Sequence, residues 1–166
     1  MVIVIDEVKN MKIRTDYVTN SSSSSFILGF KSEDTIRDEL ILGFPKWAIE
    51  RLGTVIRDVD GAEKFDKDEA VNRMRDGLKW TARWDVEDRY RRRTGCSYSD
   101  SYDYMDTEEG EAEVEKYLDN IINDAFKDIE DKTIFVEVEY DDHCSADLEH
   151  DIMPKVECTI QRISHH

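Results

Sequence analysis

No apolar run in this chain approaches the ~18–20 residues that a helix needs to cross a bilayer, so no membrane is expected among its partners. The opening Met1-Val-Ile-Val-Ile5 is followed at once by Asp6 and Glu7. With neither a basic stretch nor a full hydrophobic run, it does not read as a secretory signal. Cysteine is scarce: Cys96, Cys144 and Cys158 make an odd count without framework spacing. Free thiols in a reducing cytoplasm are the expectation. The seven glycines are dispersed, and no P-loop, dinucleotide fingerprint, serine-nucleophile elbow or Cys-His protease signature is present. That counts against the familiar enzyme classes. Basic residues are also short, 23 against 39 acidic ones, for a formal net charge of −16. A free phosphate backbone is repelled by such a field, so generic nucleic-acid binding is not expected. A basic protein surface is the natural partner, although acidity commonly serves solubility alone.

What is present is enough for a folded core. Hydrophobic residues make up 39% of the 166 and aromatics 10%, against 37% charged. Intrinsic disorder needs a shortage of apolar residues as well as excess charge. The length fits one domain.

The patterning alternates between strands and helices. Val2 to Ile5 is a continuous apolar run, and Met11, Ile13, Thr15 and Tyr17 alternate with Lys12, Arg14 and Asp16. Both predict strands, and Phe26 to Phe30 resumes as another beyond the serine run 21–25. Ile36, Leu40 and Phe44 recur every four residues behind Ser32 and Asp34 as N-caps; Pro45 ends that helix or opens a second that stops at Gly53. Thr54 to Val59 reads as a short strand. Asp66 to Glu69 has capping-box spacing and starts a helix through Val71, Met74 and Leu78. Residues 94–106 read as an exposed loop. The strongest helix carries Val114, Tyr117, Leu118, Ile121, Ile122, Ala125, Phe126 and Ile129 on one stripe. In the strand Thr133 to Tyr140, Ile134, Val136, Val138 and Tyr140 face one way and Phe135, Glu137 and Glu139 the other. Val156, Cys158 and Ile160 alternate in a last strand. Together these predict an α+β fold, a small mostly antiparallel sheet with three to four helices packed on one face.

The serines 21–25 read as a hydroxyl-rich turn; a phosphate cradle would want glycines and a following helix. The stretch Met11-Lys-Ile-Arg-Thr-Asp-Tyr-Val-Thr-Asn-Ser-Ser-Ser-Ser-Ser-Phe26 resembles the opening of a scattered set of small uncharacterised proteins of anaerobic bacteria and their phages. Arg162-Ile-Ser-His-His166, with Glu149-His150 before it, resembles closings in that set. The resemblance implies a start at Met11, with residues 1–10 as an extension to a single domain of 11–166. It favours a phage or mobile-element context and carries no activity.

All four histidines (His143, His150, His165, His166) and two of three cysteines lie in the last 24 residues, among Asp141, Asp142, Asp147, Glu149 and Asp151. Imidazole, thiolate and carboxylate are the donors zinc prefers. His143, His150, His165, His166, Cys144 and Asp142 are therefore the candidate metal ligands, with zinc the candidate ion. Surface histidines, or metal-free acid–base catalysis, remain as alternatives. Topology decides. If the strands near 133–140 and 156–163 form an antiparallel hairpin, His165 and His166 emerge far from His143 and His150. If they run parallel, His143 and His165 leave at the same edge, and residues 141–155 must serve as the crossover, with a short helix over Ser145 to Asp151.

Residues 73–93 carry eight bases against four acids, interleaved with Trp80, Trp84 and Tyr90. Arg75, Lys79, Arg83, Arg91, Arg92 and Arg93 form a strip fit for phosphates and stacked bases. Residues 100–131 carry thirteen acids against Lys116 and Lys127. The two stretches lie against each other or are solvated, or else the acidic one is a face for a protein partner. That face would be Asp100, Asp103, Asp106, Glu108, Glu109, Glu111 and Glu113, acting as a nucleic-acid mimic of the kind phage inhibitors use. The leading functional reading is a non-enzymatic acidic protein that binds a protein partner. The alternative is a metal-dependent hydrolase or metal-stabilised domain built on the C-terminal cluster.

Overall fold

Phe26, Ile27, Leu28 and Phe30 are all fully buried, so the strand that carries them must be covered on both faces. In a computed structural model of the chain, which describes residues 23–165, this strand is one of the two inner strands of a four-stranded antiparallel sheet. The strands expected over 2–5 and 11–17, the extension 1–10, most of the resembling stretch and His166 lie outside the described residues.

The sheet is β1 (Ser23–Phe30), β2 (Lys64–Phe65), β3 (Ile134–Asp141) and β4 (Thr159–His165), in the order β2-β3-β1-β4. Both β3 and β4 pair antiparallel with β1, so they run parallel to each other across it. The five α-helices among the described residues are α1 (Ile36–Gly43), α2 (Leu52–Gly61), α3 (Lys67–Thr94), α4 (Tyr98–Met105) and α5 (Glu108–Ala125). The α+β class and the antiparallel pairing are as the sequence predicts.

The helices are not confined to one face. Phe26, Leu28, Phe30, Val136 and Val138 pack with Leu40 of α1, Val55 and Val59 of α2, and Leu148 and Met153 of the β3–β4 connection. Ile27, Phe135 and Ile163 point the other way, into Met74 and Leu78 of α3, Met105 of α4, and Leu118 and Ile122 of α5. The sheet is therefore the middle of three layers. The cause is visible in β1, where both alternating sets of side chains are apolar.

Four local expectations are corrected. Ser23–Ser25, expected within a hydroxyl-rich turn, belong to β1, with Ser24 and Ser25 buried. Thr54 to Val59 belongs to α2, and Gly53 sits inside that helix rather than ending it. Leu52, Val55 and Val59 fall at three- and four-residue spacing and bury one helical stripe, which overrides the β-branched propensity. Residues 94–106 are mostly helical: Ser97 caps α4 by accepting from Asp100 N, and Ser101 and Met105 are fully buried. The last strand starts at Thr159. Val156 and Cys158 pack in the first cluster, while Ile160 packs in the second. Burial pushes the Cys158 thiol up to about 11, which disfavours its thiolate near neutral pH.

The long helix α3 opens where the spacing predicts, with Asp66 as N-cap accepting from Glu69 N at 2.9 Å, while the Glu69 carboxylate turns to Arg73. It buries Ala70, Met74, Leu78, Ala82 and Val86, one residue every four, and ends at Gly95 in the left-handed conformation (φ 71°). Where it crosses β4, a Cβ on Gly77 would stand 2.6 Å from Ile163 Cγ2, a methyl fixed on a branched Cβ. Gly77→Val is expected to destabilise the protein by about 1–3 kcal/mol through this overpacking, read as a lower midpoint in urea unfolding.

Candidate metal centre

The β3–β4 connection is shaped by a carboxylate turn. Asp141, the last residue of β3, accepts from His143 N at 2.8 Å and Cys144 N at 2.7 Å, while its own N–H donates to Ser145 Oγ at 3.0 Å. A single π-helical turn, Asp147–Ile152, follows. Such wide turns are uncommon, and they are enriched at functional sites. This one buries Leu148, Ile152 and the adjoining Met153 in the first core cluster, and it carries Glu149 inward with them.

Glu149 is fully buried. A carboxylate in that position needs compensation, and one of its oxygens receives it. Oε1 accepts from Ser24 Oγ at 2.6 Å and from Arg162 Nη2 at 3.2 Å, and Arg162 Nε donates to Ser24 Oγ at 3.0 Å. β1 and β4 thus both grip the crossover through this group. The other oxygen, Oε2, has no hydrogen-bond partner and lies 3.7 Å from His150 Nε2. A buried polar atom left this way is met by an ion, a bridging water or a proton shared with the neighbouring Asp142 carboxyl.

His150 Nε2 faces Asp142 Oδ1 at hydrogen-bond distance, and Arg162 Nη2 lies 3.5 Å from His150 Nδ1. The His150 hydrogen bond is the leading cause that holds the Asp142 carboxyl below its usual range. An ionised carboxylate only accepts, so Nε2 carries the proton and Nδ1 faces the guanidinium. One ligand atom from each of Asp142, Glu149 and His150 lies within 4.8 Å of the others. Metal–ligand bonds of ~2.0–2.2 Å place ligand atoms about 3.0–3.5 Å apart, so an ion would part the His150–Asp142 hydrogen bond, displace the Nε2 proton and draw Glu149 Oε2 slightly closer.

The register decides the fate of the other candidates. Asp141 and His165 both stand opposite Ser23, so the two strand ends meet at one edge, as the parallel alternative predicts. They do not share a site. Ser24 and Arg162 turn to the face that holds Glu149, whereas His165 Nε2 bonds Ser25 Oγ at 2.7 Å on the opposite face. His143 and Cys144 are exposed and lie outside the described cluster. Asp142 and His150 are brought together, and Glu149 completes them. Sequence reasoning passed over Glu149 as one acid among many. Its signal was position, beside Leu148 and three residues before the apolar pair Ile152-Met153.

The charged stretches largely neutralise each other. Arg75 pairs with Glu115 at 2.7 Å and Asp119 at 2.5 Å, Arg83 with Asp106 at 2.5 Å, and Arg93 with Glu113 at 3.7 Å. Arg91 and Arg92 both pair with Asp88, at 3.2 and 2.8 Å, and Lys79 is exposed. Asp100 is engaged by Ser97. Asp103, Glu108, Glu109 and Glu111 are exposed, without an ion pair among the described residues.

Compared with known proteins, the chain matches no protein-family model, no curated protein sequence and no solved structure.

Two outcomes test this geometry. Arg162→Met strands the buried Glu149 charge and is expected to cost about 3–5 kcal/mol, most of it recovered in Arg162→Met/Glu149→Leu, by urea unfolding of the metal-free protein. For Asp142 the folded state holds the carboxyl below its unfolded range. Its contribution is therefore present above the ordinary aspartate range and lost as pH falls through the depressed midpoint. Carboxyl NMR is expected to show that midpoint rising in His150→Ala.

Proposed function

We propose that this chain is a metal-stabilised domain, in which Asp142, Glu149 and His150 hold one divalent ion that fastens the β3–β4 crossover to the end of the sheet. The observation that carries this reading is the unpartnered Oε2 of the fully buried Glu149, grouped with an imidazole and a second carboxylate. One nitrogen and two carboxylate oxygens suit zinc, manganese or ferrous iron. Arg162 occupies Oε1 and so leaves only Oε2 for the ion. It also limits the local negative charge, which favours a site that holds one ion and no more. Three protein ligands leave positions for water, the arrangement of hydrolytic zinc sites. The structural role is preferred because all three ligands come from a nine-residue stretch whose anchor reaches both β1 and β4.

Calorimetric titration of untagged protein with zinc or manganese is expected to show one equivalent bound. Unfolding free energy should rise with free ion, by about 2.7 kcal/mol at a hundredfold excess over Kd. Glu149→Gln and His150→Ala are expected to abolish binding, Ser24→Ala to weaken it roughly tenfold, and His143→Ala and His165→Ala to leave it unchanged. Absence of binding at millimolar ion, or binding that survives Glu149→Gln, overturns the reading.

A second reading is an acidic protein that binds a basic protein surface in the cytoplasm, with a phage-type inhibitor or nucleic-acid mimic as its sharper form. The exposed and unpaired Asp103, Glu108, Glu109 and Glu111 support it. The engagement of Asp106 by Arg83 and of Glu113 by Arg93 and Tyr104 leaves a shorter acidic face than the sequence implies.

A further inference from the structure

Four large side chains that the fold leaves in solvent sit together. Trp80 and Trp84 lie one turn apart on α3, Tyr98 and Tyr102 one turn apart on α4, and their exposures run from 53% to 70%. They line a groove of about 250 Å³ together with Arg83, Glu87 and Arg91. Helix faces that carry scattered apolar residues are ordinary; two Trp and two Tyr around one groove mark a docking surface.

The charges say what fits. Both groove arginines are already used: Arg91 stacks 3.7 Å from the Tyr98 ring and pairs with Asp88, and Arg83 lies 5.7 Å from Tyr102 and pairs with Asp106. A phosphate therefore finds little unclaimed positive charge there. The acids are more open. Asp76, one turn before Trp80, and Asp103, next to Tyr102 in sequence, flank the groove rather than line it and are exposed without an ion pair among the described residues. Glu87 lines the groove and accepts from Ser101 through one oxygen. Lys79 is the exposed base beside them. Among the described residues no cation stacks on either indole, whereas the groove tyrosines already carry theirs. The whole molecule, at −16, attracts cations at long range.

We propose that the α3–α4 groove docks an arginine-rich segment of a partner protein, with guanidiniums stacked on Trp80 and Trp84 and paired with Asp76, Glu87 and Asp103. This rests on the acidic-interaction reading and moves its centre from the start of α5 to the aromatic groove. It is independent of the metal centre. Arginine is chosen over lysine because a planar, weakly hydrated guanidinium stacks on indole and forks onto carboxylates together.

The test is fluorescence anisotropy with a labelled nine-residue oligo-arginine, beside oligo-lysine of equal length and a ten-nucleotide oligo-dT, near 0.15 M salt. Oligo-arginine is expected to bind at least about fivefold tighter than oligo-lysine. Trp80→Ser/Trp84→Ser, with its circular dichroism unchanged, is expected to lower oligo-arginine affinity about tenfold and leave oligo-lysine nearly unaffected. Asp76→Asn/Asp103→Asn is expected to weaken both. Equal affinity for the two peptides, or no effect of the tryptophan pair, overturns the groove. So does tighter binding of oligo-dT, or a concentration-dependent dimer that the tryptophan pair abolishes. If Glu108→Gln/Glu109→Gln/Glu111→Gln alone removes binding, the groove fails and the interaction reading survives. If no variant changes anything, both fail.

Discussion

β1 is buried on both of its faces and on both of its edges, and the rest of the structure follows from that. A strand with Phe26, Leu28 and Phe30 on one side and Ile27 on the other cannot be covered by a single layer of helices. Burial of a large apolar side chain contributes ~1.5–3 kcal/mol, so leaving either face wet would forfeit much of the net stability of a domain this size. The chain therefore places α1, α2 and the β3–β4 crossover on one side and α3, α4 and α5 on the other. Gly77 and Gly29 mark close approaches in this arrangement, since a Cβ at either would run into Ile163 or Ile160 of β4.

The candidate metal centre is a consequence of the same arrangement. Because β3 and β4 flank β1 and run parallel, the chain must cross over a sheet face between them. Parallel crossovers usually need a dozen residues or more and a regular helix. Here the seventeen residues 142–158 meet that length without a regular helix, and the crossover is made by a π turn and a 3-10 turn, Asp147–Ile152 and Met153–Lys155. The wide turn points Leu148, Glu149, Ile152 and Met153 inward, so a carboxylate enters the core with the apolar side chains. Arg162 and Ser24 then become necessary rather than incidental. A buried charge without them would be untenable.

Legibility in the sequence followed the strength of the periodic signal. The stripe through Val114, Leu118 and Ile122, the alternation in β3, and the Asp66 cap of α3 were all readable, because each bury-or-expose decision repeats several times. α2 and α4 were misread where the signal was short: Thr54 to Val59 is β-branched enough to mimic a strand, and the serines and tyrosines near 98–105 mimic a loop until Ser101 and Met105 are seen to be one turn apart and buried. At the site, two of the five candidate ligands among the described residues come together, because histidine counts carry no information about which sheet face a residue takes. Ser24 and Ser25 make the point directly. They are neighbours, and one serves Glu149 while the other serves His165 on the far side of the sheet.

The charge distribution completes the logic. α3 is the longest helix, and its solvent side is so polar that only packing holds it in place; its arginines meet the acids of α4 and α5. Exposed pairs of this kind contribute at most about 1 kcal/mol each, so their role lies less in stability than in consuming charge. After the pairing, the bases are largely spent and a surplus of acid remains, exposed on α4, at the start of α5 and on α3 beside Trp80 and Trp84. The two distinctive surfaces of the molecule thus arise by different routes. The Glu149 cluster is charge drawn into the core by the π turn of the crossover, on the face of α1 and α2. The α3–α4 groove is aromatic area left outside after the second core was filled, framed by acids the arginines did not reach. They share no residue and lie on opposite faces of the sheet, so a change in one is expected to leave the energetics of the other nearly untouched.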